Sequence, residues 1–336
     1  RGLHVTSSAA SAIPIAHIVP AGVIGISRTL AVPIIAQLYL TRIVTLLLFV
    51  AIILFAIYLS PKHYLLFISL SLLPTVISQA GALSLDSLIT AGSIVALSVV
   101  LTEKLCNKYE LLAITVAGVL LSLLKITYLP LGALVVYSAF RTRMTVSKSL
   151  LTAGLFSIMM LCVFIAWNQY LTTTSKPDPR LHETNPSLQL QNVVNDPAKY
   201  LAVIGSSFIA QSKDIAIGSS QRIYTNYGIQ DSKTSTIVFL LSAIAFFILS
   251  TQIRHTVSID RKILIILSVI ATILGIQFAM YLYTIAVGAT AFTVQPRYYS
   301  FLWPMMVILG VSFLKQSKAS YNPAFIRTLY VSIYLL

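Results

Sequence analysis

Apolar runs separated by short polar breaks fill most of this chain. They lie near residues 34–59, 63–80, 85–102, 110–128, 129–141, 147–169, 234–251, 262–288 and 297–314, with a further run from 324. A helix needs about 20 mainly apolar residues to cross a bilayer. Runs of this length and number leave little chain for anything else. They predict an all-α, polytopic integral membrane protein of about ten transmembrane helices. Composition agrees, with 57% hydrophobic and only 10% charged residues, against about 25% charged in an ordinary soluble domain. A soluble globule, a disordered chain and a disulfide scaffold are poor readings. With no internal repeat and no low-complexity linker, residues 1–336 read as a single transmembrane domain.

The net charge of +14 arises from 23 Lys and Arg against nine Asp and Glu. The imbalance reflects scarce acids, and no basic run of five or more occurs, so nucleic acid is not an expected partner. Charge placement is more informative, because short loops rich in Lys and Arg face the cytoplasm. If the chain turns at Tyr128-Leu129-Pro130, so that 110–141 makes two passes, one side collects Lys62, Lys104, Lys108, Arg141, Arg143, Lys148, Arg254, Arg261, Lys262, Lys315, Lys318 and Arg327. The opposite short loops, 80–85 and 288–296, hold no Lys or Arg. A single pass would set the two halves against each other, so two passes are expected.

Three larger features fall on the outer side, one of them the short turn before Gln295-Pro296-Arg297-Tyr298-Tyr299. Residues 1–33, with Pro14, Pro20, Pro33, Gly22, Gly25 and Arg28, read as a broken, partly interfacial helix. Residues 170–233 read as an extracellular loop. Within it, 198–211 sets Leu201, Ile204 and Phe208 on one helical face, which suits a helix lying on the membrane surface. The start at Arg1 and the stop inside an apolar run read as truncation at both ends.

An ionisable group at bilayer depth is costly, so each is a functional candidate. Arg42, Asp86, Lys125 and Arg297 all fall toward the outer ends of their runs. Arg42 lies about 12 Å below the start of its helix, at 1.5 Å per residue. Plainer roles stand beside the functional one. Lys125 suits snorkelling to the interface, Arg297 after a proline suits anchoring, and Asp86 suits capping the helix that follows. Arg42 is too deep to snorkel easily and needs an anionic partner, for which Asp86 is nearest in the topology. Together they suggest an outward-opening polar cavity for an anionic ligand. Arg forks and Lys point charges both bind phosphate, so a lipid phosphate or pyrophosphate fits. No Walker loop or nucleophile elbow occurs, and no cofactor is evident. A divalent cation is left open, although no cluster of metal ligands calls for one. Cys106 and Cys162 lie in settings that make a disulfide between them improbable.

Several stretches resemble a bacterial polytopic family of unknown function that is grouped with the GT-C glycosyltransferases. Leu72-Leu73-Pro74 through Gln79-Ala80-Gly81 to Ser84-Leu85-Asp86 is similar to its Leu-Pro, Gln-Ala-Ala and Ser-x-Asp signature. Leu38-Tyr39-Leu40-Thr41-Arg42 resembles its Leu-Tyr-Leu-Gly-Arg, and Lys125-Ile126-Thr127-Tyr128 its hairpin. Gln189-Leu190-Gln191, Asn195-Asp196-Pro197 and Tyr200 resemble its external helix, and Val294-Gln295-Pro296-Arg297-Tyr298 its Gln-Gly-Arg-Tyr motif. The sequence departs at Pro296, where the family has Gly, and at Gly228-Ile229-Gln230-Asp231, where it has Gly-Trp-Leu-Asp.

The resemblance implies a GT-C-like bundle in the bacterial plasma membrane. It also implies a transferase that moves a sugar from a polyprenyl-phosphate carrier to a glycan or lipid of the cell envelope. Arg297 and Arg42 would hold the phosphate with Lys125 in support. Asp86 would orient Arg42 or touch the sugar, as a supporting catalytic candidate. Gln79, Tyr128, Gln295 and Tyr298 would line the pocket. The resemblance puts the catalytic base in a first external loop that this sequence lacks. A non-enzymatic transporter or flippase of an anionic lipid-linked sugar is the alternative. It is mildly disfavoured, because no ionisable group stands at mid-span or in the cytoplasmic half of a run, and interrupted helix pairs are not seen.

Overall fold

The computed structural model describes residues 17–82, 84–102, 107–174, 185–218, 224–225, 228–229, 257–284, 287–288 and 290–313. The expected runs at 234–251 and from 324 lie outside the described residues, as do Lys104, Arg254, Lys315, Lys318 and Arg327.

Helices dominate. They are α1 (Ile18–Thr29), α2 (Ile34–Leu59), α3 (Tyr64–Ser71), α4 (Pro74–Gly81), α5 (Leu85–Leu101), α6 (Lys108–Leu124), α7 (Leu129–Arg141) and α8 (Val146–Thr174). After these come α9 (Pro186–Asn195), α10 (Pro197–Ala210), α11 (Ser212–Gly218), α12 (Ile259–Thr284) and α13 (Leu302–Phe313). A two-residue antiparallel pairing of Tyr224–Thr225 with Gly228–Ile229 is the extended structure among the described residues.

Of these helices, α2, α8 and α12 are long and apolar enough to cross a membrane. The run expected at 63–80 is broken into α3 and α4, which meet at 78°. Pro74 explains the break. A proline clashes with a helical residue before it, and Leu73 accordingly takes ψ 133°. Among the described residues, three helices are thus long and apolar enough to cross a membrane, or four if this bent pair makes one span, where about ten were expected over the whole chain.

The stretch 110–141 folds as a hairpin of two helices, as expected. Pro130 starts the second, and a 3₁₀ turn at Ile126–Tyr128 joins them. The helices pack together, and Gly118 and Gly132 permit the approach. A Cβ on Gly132 would meet Ser122 Oγ and come within 2.7 Å of the Gly118 carbonyl oxygen. Small residues at such crossings let backbones close up where lipid gives no hydrophobic drive.

Helix α5 is the centre of the bundle. It touches α2, α4, α6, α7 and α13, and nearly every residue from Asp86 to Leu101 is buried. A helix apolar on all sides is a buried helix. Its Ser93 and Ser98 hydroxyls donate to the carbonyls of Thr90 and Val95, so they add no unmet polar group to the core.

The two ends of the bundle are distinct. At one, Thr102 Oγ1 donates to Leu59 O (3.0 Å) and Tyr58 OH to Glu110 Oε1 (3.1 Å). Arg261 Nη1 donates to Val100 O (2.9 Å), while Asp260 receives Tyr137 OH and Arg141 Nε. The helix ends near Lys62, Lys108, Arg141 and Lys262 therefore share the side to which the charge bias assigns the cytoplasm. The opposite end, called outer below, carries Asp86, Lys125 and the 290–301 segment.

Candidate functional site at the outer end

Asp86 reaches the site through a cap. Ser84 precedes α5, and its Oγ accepts from Asp86 N (3.2 Å). The sequence allowed Asp86 itself as the cap, but Ser84 fills that role and frees the carboxylate. Asp86 sits in the first turn, where the helix dipole favours an acid.

Both carboxylate oxygens are engaged. Lys125 Nζ lies 3.1 Å from Oδ1, and Arg297 Nε lies 3.3 Å from Oδ2. Ser84 Oγ also donates to Oδ2 (3.2 Å). The Asp86 side chain is 6% exposed, whereas Lys125 and Arg297 are 30% and 32% exposed. One acid between two bases leaves one positive charge in excess, partly open to solvent.

Local geometry explains how Arg297 arrives. Pro296 opens a 3₁₀ turn over Pro296–Tyr299, and at three residues per turn successive side chains point about 120° apart. Arg297 faces Asp86. Tyr298 covers Lys125, whose Nζ is 4.0 Å from the ring centroid, a cation–π contact. Tyr299 turns inward, fully buried, where its hydroxyl accepts from Gln277 Nε2 (2.6 Å) and its ring meets Phe208 edge-on. Tyr128, at the hairpin turn, donates to Tyr298 O (2.8 Å) and stacks edge-on with Phe301. One helical turn below Asp86, Thr90 shares a 2.6 Å hydrogen bond with Ser300.

The structure thus brings Asp86, Lys125, Tyr128, Arg297 and Tyr298 together, and Lys125 is held by a partner instead of extending freely as a snorkelling lysine would. Gln79 lies just before them, at the end of α4. Its side-chain amide is buried, and neither its nitrogen nor its oxygen bonds any described group. Its backbone oxygen accepts from Ala82 N and Ser84 N, linking it to the turn that carries the cap.

Arg42 and Gln295 are placed elsewhere. The buried stripe of α2 runs through Thr41, Thr45, Phe49, Ile53 and Ala56. Arg42, 100° round the helix from Thr41, is exposed. The expected pairing of Arg42 with Asp86 does not form, because Lys125 and Arg297 take both oxygens. The Gln295 side chain is exposed, and its backbone oxygen accepts from Tyr298 N.

The outer end of α12 and the loop from it to Pro296 are tied to the helices expected on the surface. Gln211 Nε2 donates to Phe292 O, Val294 N donates to Gln211 Oε1 (2.7 Å), and Gln189 Nε2 donates to Tyr281 O (3.1 Å). The helix expected at 198–211 is present as α10, but its apolar face is divided. Ile204 is buried and Phe208 packs on Tyr299, while Leu201 is exposed with Ile209. The supporting Thr90, Ser300, Gln277 and Gln211 were not anticipated. Uncharged hydroxyls and amides inside apolar runs carry no local signal that separates a support from an ordinary core residue. Among the described residues, no three His, Cys, Asp or Glu side chains gather as metal ligands.

Fold and site together define a helical membrane protein with a buried carboxylate clamped between two cations at one end of its bundle. The chain belongs to a family of predicted membrane proteins, DUF2142, whose model matches residues 3–309. No curated protein and no solved structure matches it.

Proposed function

We propose that the outer centre binds the phosphate of a polyprenyl-phosphate-linked sugar and that the protein is a GT-C-type glycosyltransferase. The observation that carries this reading is the Lys125–Asp86–Arg297 arrangement, with its single excess positive charge and partly open cations. Arg offers a planar fork to phosphate oxygens and Lys a point charge. Asp86 acts as a positioning residue, since both its oxygens are committed to holding those cations. The orphan amide of Gln79 supports a polar ligand close by.

In the reaction, an acceptor hydroxyl attacks the sugar's anomeric carbon while the bond from that carbon to the phosphate oxygen breaks. The bonding pair leaves with the phosphate, and the hydroxyl proton passes to a base. Lys125 and Arg297 stabilise the charge that grows on the departing phosphate. Donors fixed in advance at a site of developing charge commonly contribute the largest share of a rate enhancement. The exposed Leu188, Val194, Leu201 and Ile209 of α9 and α10 would rest on the membrane and admit the lipid tail. The carrier, the sugar and the cell-envelope acceptor are the partners of this reading, in a multi-pass bundle of the bacterial plasma membrane.

Release of free carrier phosphate from a polyprenyl-phosphate sugar, followed by mass spectrometry in proteoliposomes, tests the reading. Arg297→Ala is expected to slow release at least 100-fold, in line with loss of one charge-stabilising donor. Equal release by wild type and Arg297→Ala would refute the phosphate site, and no release by wild type would refute the transferase. Transfer of intact lipid-linked sugar across the bilayer, without release, would favour the transporter.

A further inference from the structure

A cavity of about 190 Å³ opens between α9, α10 and the outer end of α12. Its polar wall is built from Asn192, Asn195, Asp196 and Lys199, and its aromatic wall from Tyr200 and Tyr281. We propose that this cavity binds one ring of a neutral sugar, as the subsite for a glycan acceptor. The role as acceptor site rests on the transferase reading above. The chemistry of the ligand does not.

Charge excludes an anion first. Asp196 and Lys199 cancel, and no other charged side chain lines the cavity, in contrast to the excess positive charge at Arg297. The polar groups are also uncommitted. The side-chain amides of Asn192 and Asn195 bond to no described group. Asp196 uses Oδ1 to cap α10 by accepting from Lys199 N (2.9 Å), which leaves Oδ2. Each amide offers two donors and an acceptor, a match for adjacent hydroxyls that both give and take hydrogen bonds.

The aromatic wall is rigid. Tyr200 packs on Tyr281 and Phe278 with ring centroids 5.1 and 5.8 Å away. Gln189 pins α9 to the Tyr281 carbonyl, which fixes the two walls relative to each other. Aromatic rings and side-chain amides lining one cavity suit the mixed surface of a pyranose, with apolar C–H groups on its faces and hydroxyls on its rim. The volume falls below the roughly 300–1,000 Å³ of sites for drug-sized ligands, which favours a single ring. The same helix leads to the phosphate centre. Tyr200 and Phe208 are eight residues apart on α10, about 12 Å at helical rise, and Phe208 packs on Tyr299 beside Arg297 and Tyr298.

Saturation-transfer NMR on the protein in nanodiscs, free of sugar-based detergent, tests this. The probes are the methyl glycosides of glucose, galactose, mannose and rhamnose, with inorganic pyrophosphate as competitor. At least one glycoside is expected to bind saturably and to resist displacement by pyrophosphate. The double variant Asn192→Ala/Asn195→Ala should weaken it at least tenfold, and Gln191→Ala, exposed on α9 and outside the cavity wall, should still fold and bind. No saturable glycoside, displacement by pyrophosphate, or undiminished binding by the double variant would overturn the proposal. Such a failure leaves carrier-phosphate release untouched. Glycoside binding that persists while wild-type protein releases no carrier would retain this site and remove the transferase reading.

Discussion

Burying a carboxylate costs several kcal/mol unless other charges and hydrogen bonds replace its water. At Asp86 the replacements are Lys125, Arg297 and Ser84. Removing the acid leaves two like charges side by side with nothing between them. Asp86→Asn is therefore expected to destabilise the protein by about 2 kcal/mol, between the values for surface and buried pairs. The two cations are about one-third exposed, which keeps the cost below that of a fully buried pair. Thermal unfolding of Asp86→Asn, Arg297→Gln and the double variant measures it. The pair should couple by about 1 kcal/mol or more, and strictly additive effects would show that the contact stabilises nothing. All four charged candidates, three of which meet at the site, were legible as charges inside apolar runs. That Asp86 chooses Lys125 and Arg297 over Arg42 was not, because the choice depends on which face α2 turns inward.

At the scale of elements, the α6–α7 hairpin positions Lys125 and Tyr128, so its close crossing bears on the site. Gly132→Val should separate the two helices, since even a Cβ there meets Ser122 Oγ and the Gly118 carbonyl oxygen. A clear fall in melting temperature and in the monodisperse fraction is expected. Gly154 on α8 has nothing within 4 Å of a built Cβ, so Gly154→Ala should be neutral or stabilising by up to about 1 kcal/mol. Equal behaviour of the two variants would contradict the packing. Pro130 and Pro296 marked their boundaries in advance, whereas the expected run 63–80 passed through Pro74 unbroken, and the helix starts at Pro186 and Pro197 were not read from the sequence. The apolar stripe of α10 misled because a face that packs on Tyr299 and one that rests on lipid have the same spacing.

For the whole molecule, the separation of charge between the two ends is the organising fact. Met144, in the exposed turn after α7, lies at the end with Arg141 and Asp260, and exposed Gln191 on α9 lies at the outer end. In a variant with Cys106 and Cys162 replaced, Met144→Cys should react with an impermeant maleimide only from the cytoplasmic side, and Gln191→Cys only from outside. Labelling of both from one side would overturn the orientation. The central claim is that the outer cations hold a carrier phosphate, and equilibrium binding of a short-chain polyprenyl phosphate, followed by phosphorus NMR in nanodiscs, tests it most directly. Saturable binding to wild type that weakens at least tenfold in both Lys125→Ala and Arg297→Ala is the predicted result. Binding that is absent from wild type, or unchanged in both variants, would contradict it.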